Sequence, residues 1–250
     1  MRHRLGNSGT DDTGAVDEDP GRPKTVLQKL FTRDLDLWLR RVNHYLVGPL
    51  FAGRWGKQTQ VEPGDPPVHG ESEESLGYEP SSWLILRLAF WGRRPGMDDV
   101  FIDIGSGKGR VVLQAARFRF RRVIGLERSE RLTEIARANL DRNSRRLTCQ
   151  HVELLTADIR DFEMPDDVSV VFCFNSVKGA LFQVLLDRIS SLADRRGRTI
   201  LFIYYHPTEV EAMERSSQAR LVKSIRPFPA THAYRLNLYE IAPFRTTPAG

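Results

Sequence analysis

Apolar strand-like segments that alternate with helical patterns constrain the fold of this chain more than any other feature. From Pro95 onward, short runs rich in Val, Ile and Phe are separated by longer segments whose apolar residues recur every three or four positions. Repeated strand–helix–strand units require a mostly parallel sheet with helices on both faces. The predicted strands are 100–104, 121–127, 151–158, 168–175 and 198–206, and the predicted helices are 109–119, 129–144, 177–194 and 208–219.

The last part of the chain adds two strands that differ from the others. LVKSIRPF (221–228) and AYRLNLYEI (233–241) follow each other with only a short turn between them. Parallel neighbours need a long crossover connection, so one strand of this pair must run antiparallel at the end of the sheet. The fold class is therefore α/β, a doubly wound sheet of seven strands whose last strand is antiparallel.

The first 75 residues read as an extension of this domain. Residues 1–24 are rich in Gly, Asp, Pro and Thr and are predicted to be disordered, and 25–47 has the spacing of an amphipathic helix. A loop dense in Gly and Pro follows, so that 25–75 is predicted to form a helical extension and a lid. Ser81 or Ser82 can cap a short helix at 81–91, which opens a domain over 76–245.

Composition excludes several classes of protein. Hydrophobic residues make up 40% and charged residues 28%, and no apolar run is long enough for a membrane span or a signal peptide. Cys149 and Cys173 read as reduced core thiols, which favours a cytoplasmic protein. The net charge is +5, but acids are plentiful and no long basic run occurs, which argues against nucleic acid as a partner.

A glycine-rich turn carries the strongest functional signal. Asp103-Ile104-Gly105-Ser106-Gly107-Lys108-Gly109 follows the first strand and opens a helix. Gly105 and Gly107 allow a tight turn close to a ligand, and Gly109 allows close packing of the helix on the sheet. The G-x-G-x-G spacing is neither the dinucleotide fingerprint nor a P-loop, and an opening acid would repel a pyrophosphate. A ligand with an amino-acid end and no phosphates fits better.

Acids end the next two strands as well. Glu127 ends the second strand, where a carboxylate can accept hydrogen bonds from both cis hydroxyls of a ribose. Asp158 ends the third, where it can accept from an adenine amino group while Ile159 packs on the ring. Each acid alone is ordinary; three successive strands that end in acids form a much more specific pattern.

With these motifs, residues 75–243 resemble the class I (seven-strand) S-adenosylmethionine-dependent methyltransferases. The resemblance implies a Rossmann-like sheet of order 3-2-1-4-5-7-6, S-adenosylmethionine as cofactor and S-adenosylhomocysteine as product. Metal dependence is not expected, because no cluster of ligands at metal-binding spacing appears. The cofactor-binding residues that it implies are Tyr78, Glu79, Ser82, Asp103, Ile104, Gly105, Ser106, Gly107, Gly109, Glu127, Arg128, Asp158, Ile159 and Asn175.

A weaker similarity concerns the acceptor. Tyr78-Glu79-Pro80-Ser81-Ser82 is similar to a segment of seven-strand lysine methyltransferases, including the Dot1-like group, and Asn175 matches an asparagine that those enzymes place beside the methyl group. Ser176-Val177-Lys178 follows instead of the Asn-Pro-Pro-aromatic motif of DNA amino-methylating enzymes, which argues against nucleobase amines.

The predicted function is transfer of a methyl group to an N or O nucleophile of a small metabolite. Tyr78, Asn175, Tyr205 and His206 are the candidate catalytic residues, with His206 as a possible general base. The alternatives are a protein (lysine-type) methyltransferase, a cofactor-binding protein without turnover, and an NAD-dependent oxidoreductase, against which the glycine spacing speaks. The acceptor, whether a small molecule, peptide or protein, and the oligomeric state stay open.

Overall fold

The structure is a computed structural model that describes Thr59 and residues 79–174, 176–226 and 235–244. The predicted tail at 1–24, the predicted helix at 25–47 and almost all of the predicted lid lie outside the described residues. So do Tyr78 and Asn175. The division of the chain into three parts therefore stays a prediction.

A seven-strand sheet forms the centre of the molecule, and the predicted fold class is confirmed. The strand order is 3-2-1-4-5-7-6, and the last strand runs antiparallel to its two neighbours, strands five and six. The strands are β1 (Val100–Ile104), β2 (Arg122–Glu127), β3 (Val152–Thr156), β4 (Val170–Phe174), β5 (Ile200–Tyr205), β6 (Ala219–Ile225) and β7 (Leu236–Ile241).

The side chains of successive strand residues enter two separate apolar layers. Phe202 and Tyr204 of β5 belong to a layer covered by the long helix after β4, whereas Leu201, Ile203 and Tyr205 belong to the layer on the other face. This alternation follows from the period of two along a strand. The central strands β1 and β5 are buried along their whole length, as expected for parallel strands covered on both faces.

Five α-helices flank the described part of the sheet, and several are shorter than predicted. Ser129 caps the third helix as expected, since its Oγ accepts a hydrogen bond from the backbone N–H of Leu132 at 3.4 Å. The cap predicted at Ser81 or Ser82 is wrong, because the first helix starts later and no side chain caps it. The helices are α1 (Ile85–Ala89), α2 (Arg110–Ala115), α3 (Glu130–Asn143), α4 (Gly179–Arg196) and α5 (Val210–Arg215).

The carboxyl ends of β1 and β4 meet at the point where the strand order reverses. The chain leaves β1 towards β2 on one side and leaves β4 towards β5 on the other, which opens a crevice between them. β3 ends at Thr156 rather than at Asp158, because Asp158 already begins a turn: its carbonyl accepts hydrogen bonds from the N–H groups of Asp161 and Phe162.

Candidate active site

A cavity of about 380 Å³ lies along this carboxyl edge. It extends from the loop after β3, across the ends of β2 and β1, to the ends of β4 and β5. Most of the site residues predicted from the sequence lie on its wall. The predicted residues that line the cavity are Glu79, Asp103, Ile104, Gly105, Ser106, Gly107, Glu127, Arg128, Asp158, Ile159 and His206.

The glycine loop runs directly against the start of the segment after β4. Gly105 has φ of +76°, and a Cβ placed on it would lie 2.3 Å from the Cβ of Ser176. Ser176 Oγ in turn donates a hydrogen bond of 2.7 Å to the carbonyl of Ile104, which joins the ends of β1 and β4. The position therefore requires glycine both for its backbone conformation and for its lack of a side chain.

Glu127 is fixed at the end of β2 by two backbone donors. Its Oε2 accepts from the N–H of Gly107 at 2.8 Å, and its Oε1 accepts from the N–H of Ser129 at 2.9 Å. An ionised carboxylate has about four acceptor positions, so roughly two are left for a ligand. The carboxylate is thus oriented in advance for a pair of hydroxyls.

Asp103 is 2% exposed, and ionisation of its buried carboxyl is unfavourable. Burial raises the pKa of its carboxyl well above the usual value, and the nearby charge of Glu127 raises that pKa further. The carboxyl forms no hydrogen bond or ion pair with any residue that the structure describes. A cationic group in the cavity would therefore be attracted to Asp103 and would restore its ionised form.

Asp158 has a partner that the sequence did not suggest. Arg160 donates to its carboxylate through Nε at 3.0 Å and Nη2 at 2.8 Å, and these bonds lower the pKa of Asp158 to about 2. The carboxylate still lines the cavity, with one lone pair of Oδ2 left for a further donor. Ile159 is buried beside it and supplies the apolar surface that was predicted.

The other half of the cavity lies beyond the ends of β4 and β5. His206 lines it and adopts φ of +54°, the only positive φ of a non-glycine residue within the described ranges. Such a conformation in a residue other than glycine is strained and is concentrated at functional sites. Phe174 and Lys178 lie on the same half, and the ring centroid of Phe174 is 4.6 Å from that of Tyr205.

Three predicted residues do not reach the cavity. Tyr205 is 4% exposed and packs in the apolar layer behind Phe174, so we do not propose it as a catalytic residue. The Oγ of Ser82 accepts a hydrogen bond of 3.3 Å from the backbone N–H of Leu84. Gly109 precedes α2 as its N-cap with φ of +80°, and a Cβ placed on it would lie 3.0 Å from the Cβ of Ala136 in α3, so glycine here allows contact with a helix rather than with the sheet.

Arg110 is the main residue that sequence reasoning missed. Although it opens α2, its guanidinium is buried and donates to the carbonyl oxygens of Ser81 at 2.7 Å and Thr59 at 2.8 Å. It also lies 4.9 Å from the ring centre of Trp83. Arg110 thereby ties the segment before α1 to the wall of the cavity. The sequence offered one indication that Arg110 belongs to the site, namely its position directly after the glycine loop. Its hydrogen-bond partners are distant in sequence and could not be recognised from local pattern.

The polar groups of this wall fit an adenosine ligand with an amino-acid end. Glu127 offers acceptors to hydroxyls, and Asp103 offers a carboxyl to a cation. Ser81 and Ser106 each have a buried Oγ that lines the cavity wall and has no hydrogen-bond partner within the described ranges. No group of three or more His, Cys, Asp or Glu side chains in the described part of the chain could hold a metal ion.

The fold and this site define the class of protein. A doubly wound sheet of this order, with a glycine loop after β1 and a carboxylate at the end of β2, is the class I S-adenosylmethionine-dependent methyltransferase fold. Residues 101–197 match the family model described as "Methyltransferase domain". This match agrees with the resemblance drawn from the sequence and with the methyltransferase class and the S-adenosylmethionine cofactor that the resemblance implies.

One curated relative was found by sequence. It is the probable cobalt-precorrin-6B C(15)-methyltransferase (decarboxylating) of Methanothermobacter thermautotrophicus, which is 32% identical over 134 residues. The match spans 52% of this chain and 64% of the relative, so a third of the relative has no counterpart in the alignment.

Solved structures with a similar fold have low sequence identity. An RNA methyltransferase from Salinibacter ruber in complex with S-adenosylhomocysteine is 18% identical, with 61% of this chain and 86% of that chain covered and a TM-score of 0.44. The magnesium protoporphyrin IX methyltransferase from Synechocystis with bound S-adenosylmethionine is 16% identical, with 64% and 76% covered and a TM-score of 0.45. Among the described residues, no helix is both long and apolar enough to cross a bilayer.

Proposed function

We propose that this protein transfers the methyl group of S-adenosylmethionine to an N or O nucleophile of a small acceptor molecule. The observation that carries the proposal is Glu127, whose two oxygens each accept one backbone N–H and keep positions for a vicinal diol at the cavity wall. When bound, the sulfonium cofactor supplies an electrophilic methyl group.

The donor half of the cavity supports binding of an adenosine with an amino-acid end. In this proposal Glu127 accepts from the ribose hydroxyls, and Asp158 with Ile159 contacts the adenine. Asp103 attracts the ammonium group of the amino-acid end, which offsets the cost of ionising a buried carboxyl. Gly105 and Gly107 both have positive φ and line the cavity with backbone atoms alone, so a ligand can approach them closely.

The acceptor half supplies the groups that orient a nucleophile and receive its proton. In-line displacement depends chiefly on positioning, so residues that fix the acceptor matter more than strongly reactive groups. His206 is the proposed general base, because it lines the cavity next to the end of β5 and its backbone N–H is fixed by a hydrogen bond of 2.8 Å to the carbonyl of Arg235. Asn175 and Tyr78, which adjoin this region in sequence, keep their proposed roles in orienting the nucleophile.

The size and lining of the cavity support a small acceptor over a protein. About 380 Å³ is near the lower end of the range for small-molecule sites, and the cofactor would take part of it. Phe174 provides an aromatic wall and Lys178 a cation on the acceptor half, a combination suited to a compact molecule with an apolar ring and an anionic group.

A second candidate function is methyl transfer to carbon. The curated relative that aligns over 52% of this chain is named as a C(15)-methyltransferase acting on a cobalt-precorrin. A carbon acceptor also has to lose a proton when it is methylated. The acceptor half of the cavity, with His206 as the base, would therefore serve this reaction as well.

The proposal is tested by measuring the formation of S-adenosylhomocysteine from S-adenosylmethionine with a panel of small amines, phenols, carboxylates and tetrapyrroles. We expect turnover with one acceptor class and its loss in His206→Asn, with the affinity for S-adenosylhomocysteine unchanged. Turnover with peptides alone would contradict a small acceptor. Tight binding of S-adenosylmethionine with no turnover on any of these would favour a binding protein.

A further inference from the structure

A second pocket lies at the opposite edge of the sheet, away from the candidate active site. It has a volume of about 310 Å³ and is formed where β4 and β5 begin and where β7 ends. Val170, Leu201 and Glu240 occupy one row across these three strands. Phe90 joins Val170 and Leu201 to form a buried apolar floor.

Four arginines surround this floor and are here called the arginine pocket: Arg93, Arg94, Arg196 and Arg198. The guanidinium groups of Arg94 and Arg198 form no hydrogen bond or ion pair with any residue in the described ranges. Arg93 contacts Glu240 only at 3.8 Å, and its side chain is 57% exposed, so this pair is weak. Thr199 adds a hydroxyl at the same rim.

The two acids of the pocket are already engaged elsewhere. Asp99 accepts from the N–H of Gly96 and from the hydroxyl of Ser169, both at 2.9 Å. Glu240 makes its short contact, 2.6 Å, with Arg220, which lies outside the pocket. The positive charge of the four guanidiniums is therefore only partly balanced, and burial followed by the neighbouring charge of Arg198 lowers the pKa of Arg196.

We propose that the arginine pocket binds the phosphate group of a small phosphorylated molecule. Guanidinium groups pair with phosphate oxygens through two parallel hydrogen bonds, and a concave site with two unpaired guanidiniums can offer several at once. The apolar floor would contact the carbon part of the ligand. The site is separate from the cofactor cavity, so the ligand would be an effector rather than a reactant.

The surroundings of the pocket favour a small ligand over RNA. Nearby arginines on this edge are paired with acids: Arg121 and Arg122 with Asp167, and Arg195 with Asp166. The charge of these three arginines is therefore balanced by acids, unlike that of the arginine pocket. A nucleic-acid track needs a continuous basic stripe, which these ion pairs interrupt.

The test is calorimetric titration of the full chain with pyrophosphate at about 0.15 M salt. We expect saturable binding of one equivalent, which Arg94→Gln/Arg198→Gln weakens about tenfold or more. The matched control, Arg145→Gln/Arg226→Gln, removes two exposed arginines that do not line the pocket and should bind as the wild type does. Both variants should keep the affinity for S-adenosylhomocysteine.

Parallel titrations with ATP and inorganic phosphate identify the source of the phosphate. Tighter binding of ATP than of pyrophosphate would support a nucleotide, and equal binding would support a free polyphosphate. Absence of saturable binding of any of these probes, or equal weakening in the two double variants, would overturn the proposal. So would an affinity for single-stranded RNA that rises with its length and exceeds that for pyrophosphate.

Discussion

The two halves of the cavity are built in different ways. The donor half, at the ends of β1, β2 and β3, takes its functional groups from residues at or just after strand ends, and its electrostatics are dominated by Asp103, Glu127 and Asp158. The acceptor half, beyond β4 and β5, carries Lys178 and His206, and we assign to it the lining segment 79–81 that Arg110 holds. Acids gather where a cationic donor is proposed, and bases where the acceptor would lie.

Because of this difference, we expect the donor half to determine binding of the cofactor and the acceptor half to determine which acceptor is methylated. The donor half is fixed by short-range geometry, such as the contact of Glu127 with Gly107, which any sheet of this topology can reproduce. The acceptor half depends on contacts between distant parts of the chain, such as Arg110 with Thr59. Substitutions in one half should therefore leave the other nearly unchanged, and four experiments examine that expectation.

The largest effect is expected from Gly105→Ala, which changes the boundary between the halves. The new Cβ would lie 2.3 Å from Ser176 at φ of +76°, so the free energy of unfolding should fall by about 3 kcal/mol or more. Chemical denaturation measures this, and stabilisation by S-adenosylhomocysteine should disappear. Gly96→Ala is the control, since nothing lies within 4 Å of a Cβ there. Equal behaviour of the two variants would contradict the close approach.

Glu127→Gln should damage the donor half alone. Glutamine keeps one acceptor oxygen but loses the charge, so binding of S-adenosylhomocysteine should weaken by about 3 kcal/mol, measured by calorimetry. The empty protein should lose about 1 kcal/mol of stability, because the amide nitrogen cannot accept one of the two backbone N–H groups that Glu127 binds. Glu134→Gln, an exposed acid of α3 outside the cavity, is the matched control. Unaltered affinity in Glu127→Gln would remove Glu127 from the binding site.

Arg110→Lys should damage the acceptor half. Lysine cannot span both carbonyl groups that the guanidinium reaches, so the free energy of unfolding should fall by about 2 kcal/mol. Limited proteolysis should then cleave the chain before residue 81 more rapidly, whereas the affinity for S-adenosylhomocysteine should change less than about threefold. A loss of affinity as large as that in Glu127→Gln would show that the halves are not independent.

The raised pKa of Asp103 should make the stability of the empty protein depend on pH. The free energy of unfolding should change by at most about 1.4 kcal/mol per pH unit. Because its folded pKa is raised, the empty protein loses stability as pH rises from about 4 towards that pKa. A ligand ammonium favours the ionised carboxyl, so the affinity for S-adenosylhomocysteine rises over the same range and then levels.

Calorimetry in two buffers of different ionisation enthalpy would detect the proton that Asp103 releases on binding. Asp103→Asn should release none and should be more stable than the wild type at neutral pH when empty. A pH-independent affinity in the wild type would contradict the electrostatic account of this carboxyl.

Sequence reasoning succeeded where function follows from position along a strand. The mostly parallel α/β sheet, the conformation of Gly105 and the placement of Glu127 at the end of β2 follow from local pattern, whereas the order of the strands came from the family resemblance. It failed where the partner is far away in the chain or where a local competitor intervenes. Arg110 looked like an ordinary helix residue, Arg160 binds the carboxylate of Asp158, and Tyr205 packs behind Phe174 and does not line the cavity.

The predicted ends of the strands and helices were inaccurate for a different reason. The apolar pattern continues past the last hydrogen-bonded residue, as it does after Thr156 in β3 and before Ile85 in α1. Periodicity marks which side chains are buried, whereas the end of an element is set by backbone hydrogen bonds that the pattern does not reveal.

The most direct measurement is a crystal structure of the protein grown with S-adenosylhomocysteine. The account predicts that both ribose hydroxyls lie within hydrogen-bond distance of Glu127, with the ammonium group beside Asp103 and the sulfur facing His206. A ligand bound away from the carboxyl ends of β1 and β2, or hydroxyls that contact neither oxygen of Glu127, would contradict it.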